Sequence, residues 1–191
     1  MNHKVKTLIY IFVFVVFIFS VVLIYNSLKG NLSSFPILQT EQGNPQTSES
    51  EENKTKAPDF TIYDSDGNSI NLSDIEDKPI VLNFWASWCP PCKNEMPYFD
   101  TVYLELGDEI QFLMVDLADG NRETVEKGMT FIEDEGFSFP VYFDTANEAG
   151  SIYGVRSIPT TYFIDKDGYI VTGVQGAIDE DTLRKGIMLI Q

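Results

Sequence analysis

Cys89 and Cys92 are the only two thiols in the 191-residue chain, and two prolines separate them in the stretch "FWASWCPPCKNEMP". Such a pair can be a structural staple, half of a metal site or a reversible redox couple. A zinc site needs three or four ligands, and beyond these thiols the only histidine is His3, at the far end of the chain. A staple across two residues closes too small a loop to restrict an unfolded chain much. The redox couple has a positional reason behind it. Pro90 and Pro91 suit the first turn of a helix, where no intrahelical N–H bond is lost. Cys89 would then stand at the helix N-terminus, where the dipole favours a thiolate, with Cys92 one turn in and within bonding reach.

That geometry assigns Cys89 as the nucleophile and Cys92 as the resolving thiol. Cys89 attacks a client disulfide, and Cys92 then attacks Cys89 and releases the reduced client; run backwards, the same steps oxidise a client. Neither proline has an N–H, so only Cys92 and later residues offer amides to the Cys89 sulfur. Weaker thiolate stabilisation makes a weaker oxidant, which tilts the reading toward a reductase.

The elements around the pair follow from pattern. "PIVLNFW" is a continuous apolar run, as a strand covered on both faces should be, and it leads into the cysteines. A helix is predicted from Cys92 to Leu106, with Met96, Phe99, Tyr103 and Leu106 at helical spacing. Upstream, two alternating runs flank Asp66-Gly67-Asn68 and read as a hairpin. Downstream come the strand "IQFLMVD", a helix over 124–135, the strand "PVYF" and a helix over 147–153 with Gly154 as its C-cap. A second hairpin, "TTYFID" and "YIVTGVQG" about the turn "DKDG", precedes a last helix capped by Asp179. Strands alternating with helices, then a hairpin and a helix, predict an α/β domain, a mixed sheet with helices on both faces.

The N-terminal third is different. Leu8 to Tyr25 is an uncharged 18-residue stretch, long enough to cross a hydrocarbon core of about 30 Å. The exit "IYNSLKGNLSS" is a poor cleavage site, so residues 1–30 are expected to remain as a membrane anchor. Lys4 and Lys6 precede the span and Lys29 follows it, which puts the N-terminus in the cytoplasm and the rest of the chain outside. Residues 31–56 are polar and read as a flexible linker of about 30 Å mean reach. The domain is expected over 57–191.

Net charge is −16, and after Lys56 it is −17, with 8 Lys+Arg against 25 Asp+Glu. Nucleic acid is therefore not an expected partner.

"FWASWCPPC" together with "IPTT" at Ile158–Thr161 resembles the thioredoxin superfamily. The apolar anchor, "APDF" and "NFWASWCPPCKNEMP" are similar more narrowly to the membrane-anchored TlpA/ResA-type thiol-disulfide oxidoreductases. The resemblance covers 57–191 and implies a thioredoxin-like fold with an N-terminal hairpin extension, preceded by one transmembrane helix. It implies that Pro159 is a cis-proline, which an Ile–Pro bond alone predicts only a small fraction of the time. The loop of Ile158 and Pro159 would then face Cys89 and bind extended client backbone, with Trp88 as an apolar contact surface. Asn83 stands where ordinary thioredoxins carry a buried aspartate, and Glu95 matches a glutamate of ResA-like proteins. Glu95 is accordingly expected to act as acid/base for Cys92, against the alternative of a solvated surface glutamate.

The implied partners are disulfide-containing clients, apocytochrome c among them, and an integral-membrane thiol donor of the CcdA/DsbD type, with no cofactor beyond the cysteine pair. Three alternatives differ in kind. A disulfide-forming oxidase shares the fold. A thiol peroxidase would carry Pro and Thr where this chain has Leu82 and Ala86. A tethered binding module would carry the disulfide incidentally.

Overall fold

The computed structural model describes residues 55–75 and 77–191. The expected span and anchor (1–30), and the expected linker up to residue 54, lie outside the described residues. Eight strands form one sheet: β1 (Thr55–Lys56), β2 (Thr61–Tyr63), β3 (Ser69–Asn71), β4 (Ile80–Trp85), β5 (Gln111–Asp116), β6 (Val141–Phe143), β7 (Thr160–Ile164) and β8 (Tyr169–Gln175). The helices are α1 (Pro90–Leu106), α2 (Val125–Glu135), α3 (Glu148–Ile152) and α4 (Glu180–Met188).

Strand order is β1-β8-β7-β4-β5-β6-β2-β3. β4, β5 and β6 are parallel; β7 runs antiparallel beside β4, and β8 antiparallel beside β7. The sheet is thus mixed, as the alternation of elements requires. The N-terminal hairpin forms where expected: Asp64 Oδ1 accepts from the amides of Asp66 (2.9 Å) and Asn68 (2.8 Å), closing the turn between β2 and β3. It joins the sheet through Tyr63 opposite Phe143. The sheet also takes in Thr55 and Lys56, two residues before the expected domain boundary, which pair with Ile170 and Tyr169.

β4 shows why a central strand reads as unbroken apolar sequence. Val81 and Trp85 pack into one core with α1 and α4, whereas Ile80, Leu82 and Phe84 pack into a second core on the other face. The first core includes Met96 and Phe99 of α1, Ile132 of α2, and Leu183 and Ile187 of α4. The second includes Phe60 and Ile62 from the hairpin region and Ala149 of α3. α4 approaches closely at Gly186, where an added Cβ would overlap the Phe163 ring of β7.

Candidate active site

β4 ends at Trp85, and after four intervening residues the chain enters α1 at Pro90, so the two prolines occupy its first turn as expected. Cys89 is its N-cap, in extended conformation (φ −91°, ψ 106°). Pro90 and Pro91 leave the amide of Cys92 as the N–H that reaches the Cys89 sulfur, at 3.3 Å. Cys89 and Cys92 are joined in a disulfide, their Cα atoms 5.3 Å apart. Both residues are buried. Trp88, by contrast, is 38% exposed and stands at the rim beside them.

The Ile158–Pro159 bond is cis. Its loop faces the disulfide: the carbonyl oxygen of Ile158 lies 3.7 Å from Cys89 Sγ. In the oxidised pair this is a contact, and on reduction it gives the thiol an acceptor. Thr160 Oγ1 donates to Ser157 O (2.8 Å) and Gly176 N to Pro159 O (2.8 Å), so both ends of the loop are pinned. Cys89, Cys92, Ile158 and Pro159, far apart in sequence, are thereby brought together.

Glu95 is not a solvated surface glutamate. It lies on the buried face of α1 with Cys92, Met96 and Phe99. Its Oε1 accepts from Asn83 Nδ2 (2.8 Å) and its Oε2 from the amide of Ile178 (2.9 Å). Asn83 Nδ2 also donates to Thr161 Oγ1 (3.0 Å). Burial raises the Glu95 pKa to about 7, against the opposing pull of the bonds from Ile178 and Asn83. A carboxyl poised near neutrality can take or give a proton at physiological pH.

A second buried acidic group supports the same loop, and sequence reasoning did not single it out. Glu123 is fully buried and accepts from Ser87 N (2.8 Å) and Ser87 Oγ (2.8 and 3.0 Å). It therefore ties down the loop two residues before Cys89. Nearby, Asp116 ends β5 opposite Trp85 and has neither carboxyl oxygen hydrogen-bonded. Gly128 of α2 lies against that carboxyl so closely that a Cβ there would collide with it. Desolvation, then the charges of Glu123 and Asp119, push the Asp116 pKa up to about 9. An aspartate inside "FLMVDL" was the available signal, since the other residues of that run are apolar.

Among the described residues, no group of three or more His, Cys, Asp or Glu side chains is placed to hold a metal ion. The arrangement is a Cys89–Cys92 disulfide at a helix terminus, with a buried carboxyl, Glu95, on the same helix face as Cys92.

Residues 54–172 match the AhpC/TSA family. Thiol-disulfide oxidoreductase ResA of Oceanobacillus iheyensis is 40% identical over 132 residues, covering 66% of this chain and 67% of that protein. The protein of the same name from Bacillus thuringiensis is 37% identical, covering 67% of this chain and 72% of its own. Among solved structures, a putative thiol:disulfide interchange protein DsbE from Chlorobium tepidum superposes with a TM-score of 0.64 at 29% identity, over 73% of this chain and 97% of that one. Fold, cysteine pair and relatives agree: this chain belongs to the AhpC/TSA family and, within it, to the thiol-disulfide oxidoreductases of the ResA type.

Proposed function

We propose that the protein is a membrane-tethered reductase that works outside the cytoplasm on disulfides of envelope clients, with apocytochrome c the leading candidate. The observation that carries the direction of electron flow is the single amide, that of Cys92, on the Cys89 sulfur. Few donors mean a thiolate less stabilised than in strong oxidants, and so a dithiol that gives up its electrons more readily. The tether rests on the uncharged stretch Leu8–Tyr25 and on the flanking lysines.

In the forward direction the Cys89 thiolate attacks one sulfur of the client disulfide. A Cys89–client bond forms and the other client sulfur leaves as a thiolate, which takes up a proton. Glu95 accepts the proton of Cys92, and the Cys92 thiolate attacks Cys89. The client's second sulfur leaves as a thiolate and takes the proton held by Glu95, so the client departs with two thiols and the protein keeps the Cys89–Cys92 disulfide. Two electrons have passed to the client. A membrane thiol carrier of the CcdA/DsbD type would restore them. Trp88 and the Ile158–Pro159 loop flank the sulfur and would hold the client strand in place.

Glu95→Gln tests the proton step. With the carboxyl replaced by an amide of nearly the same shape, the pH profile of exchange should lose its inflection near pH 7, and the rate at pH 7 should fall by about tenfold or more. An unchanged profile would remove Glu95 from the mechanism.

The direction is tested by equilibrating the full-length chain, in mild detergent, with defined thiol/disulfide buffers while following Trp85 and Trp88 fluorescence. A reduction potential near or below about −250 mV supports the reductase. One near about −120 mV makes the protein a disulfide donor.

A further inference from the structure

Next to the disulfide, Trp88 carries a cation on its face. Arg122 lies over the face of Trp88, its guanidinium carbon 3.3 Å from the ring centroid. None of the salt bridges among the described residues involves it. Two acids of its own loop accept backbone or serine hydrogen bonds rather than pairing with it. Asp119 Oδ1 accepts from the amides of Asn121 (2.8 Å) and Glu123 (3.0 Å), and Glu123 is bound to Ser87. Lys127 Nζ donates to the carbonyls of Asn121 (3.0 Å) and Arg122 (2.9 Å), bringing a second cation to the same loop.

Two further cations stand near the pair or its facing loop in sequence. Lys93 follows Cys92 directly and lies over Phe131 (4.6 Å), one turn from Lys127 on α2. Arg156 is exposed two residues before Ile158. Four of the eight Lys and Arg after Lys56 thus sit on segments that frame the disulfide, in a stretch whose net charge is −17.

Stacking on Trp88 fixes the plane of the Arg122 guanidinium and occupies one face, which leaves its N–H edges for a planar, bidentate acceptor. A carboxylate is the acceptor of that shape. We propose that Arg122 is the client-selecting group of this site: it pairs with a carboxylate that the client carries next to its disulfide. This rests on the reading of the protein as a reductase. It adds a substrate class to that reading, disulfides flanked by Asp or Glu. Acidic residues elsewhere on a client would be disfavoured by the negative domain, so what matters is the position of the acid and not the client's net charge.

The test uses two peptides of identical composition, each with one intramolecular disulfide. One has glutamates beside the cysteines and lysines at its ends; in the other the placements are exchanged. The full-length chain is reduced with dithiothreitol, freed of it, and mixed with each peptide in single-turnover stopped flow. The wild type should reduce the first peptide about two- to fivefold faster, as an exposed charge pair allows. That ratio should fall toward one in 1 M salt. Arg122→Gln should equalise the two rates and Arg122→Glu should invert their order. Because the readout is a ratio, damage to folding, which slows both peptides alike, does not imitate the effect. A wild-type ratio of one, or a ratio unchanged in Arg122→Glu, overturns the proposal while the reductase stands. Failure to reduce either peptide overturns both.

Discussion

Cys89→Ser abolishes disulfide exchange, and Cys92→Ser arrests it after the first step. The serine hydroxyl is not ionised at neutral pH and cannot displace a sulfur, so the first variant should lose at least about three orders of magnitude in rate. In the second, Cys89 still attacks but nothing resolves the mixed disulfide, and the chain should accumulate as a covalent adduct with its client, visible by non-reducing electrophoresis and mass spectrometry. The asymmetry follows from position. Cys89 is the N-cap and accepts the Cys92 amide, whereas Cys92 is inside α1 and fully buried. If Cys89→Ser were the variant that trapped clients, the roles would be reversed. If partner binding survived both substitutions without covalent capture, a binding module with an incidental disulfide would describe the protein better.

What could be read from the sequence was local. The apolar run 79–85, the prolines that open α1 and the Asp64-to-Asn68 turn each depend on neighbours a few residues away, and each element formed where its pattern placed it. Helical spacing also placed Met96 and Phe99 in the core. Glu95 was ambiguous because a residue three after Cys92 can fall on either side of the helix boundary between core and solvent. Its burial is decided by Asn83, twelve residues away, and by Ile178, eighty-three residues away. The grip of Glu123 on Ser87 is likewise a contact across 36 residues with no local signature. So is the stacking of Arg122 on Trp88. The pairing of β1 with β8 escaped notice for another reason: two polar residues at a sheet edge look the same as the end of a linker.

Asp116→Asn should remove a contribution to stability that falls as pH rises. Asp116 is held above its ordinary value of 3.8, at about 9, first by burial and then by Glu123 and Asp119. The folded state therefore keeps a proton that the unfolded chain has released. Its stabilising contribution is fully present below about pH 4 and is lost as pH rises toward about 9, because folding must bind a proton that becomes scarcer. Glu95 acts in the same sense between 4.5 and about 7. Asparagine has nearly the same shape and no proton to take up. Against the wild type, the variant should gain stability with rising pH, by up to about 1.4 kcal/mol per unit while Asp116 is protonated only in the folded state. The absolute offset depends on the amide, which inherits a pocket with no hydrogen-bond partner, a cost of about 1–3 kcal/mol. The slope is free of that cost. Urea unfolding of the full-length chain at a series of pH values, followed by tryptophan fluorescence, measures it directly, and parallel curves for the two proteins would show that Asp116 is ionised in the fold. A diverging pair would mean that the end of β5, under the loop that carries the cysteines, holds an acid whose cost the rest of the domain sustains.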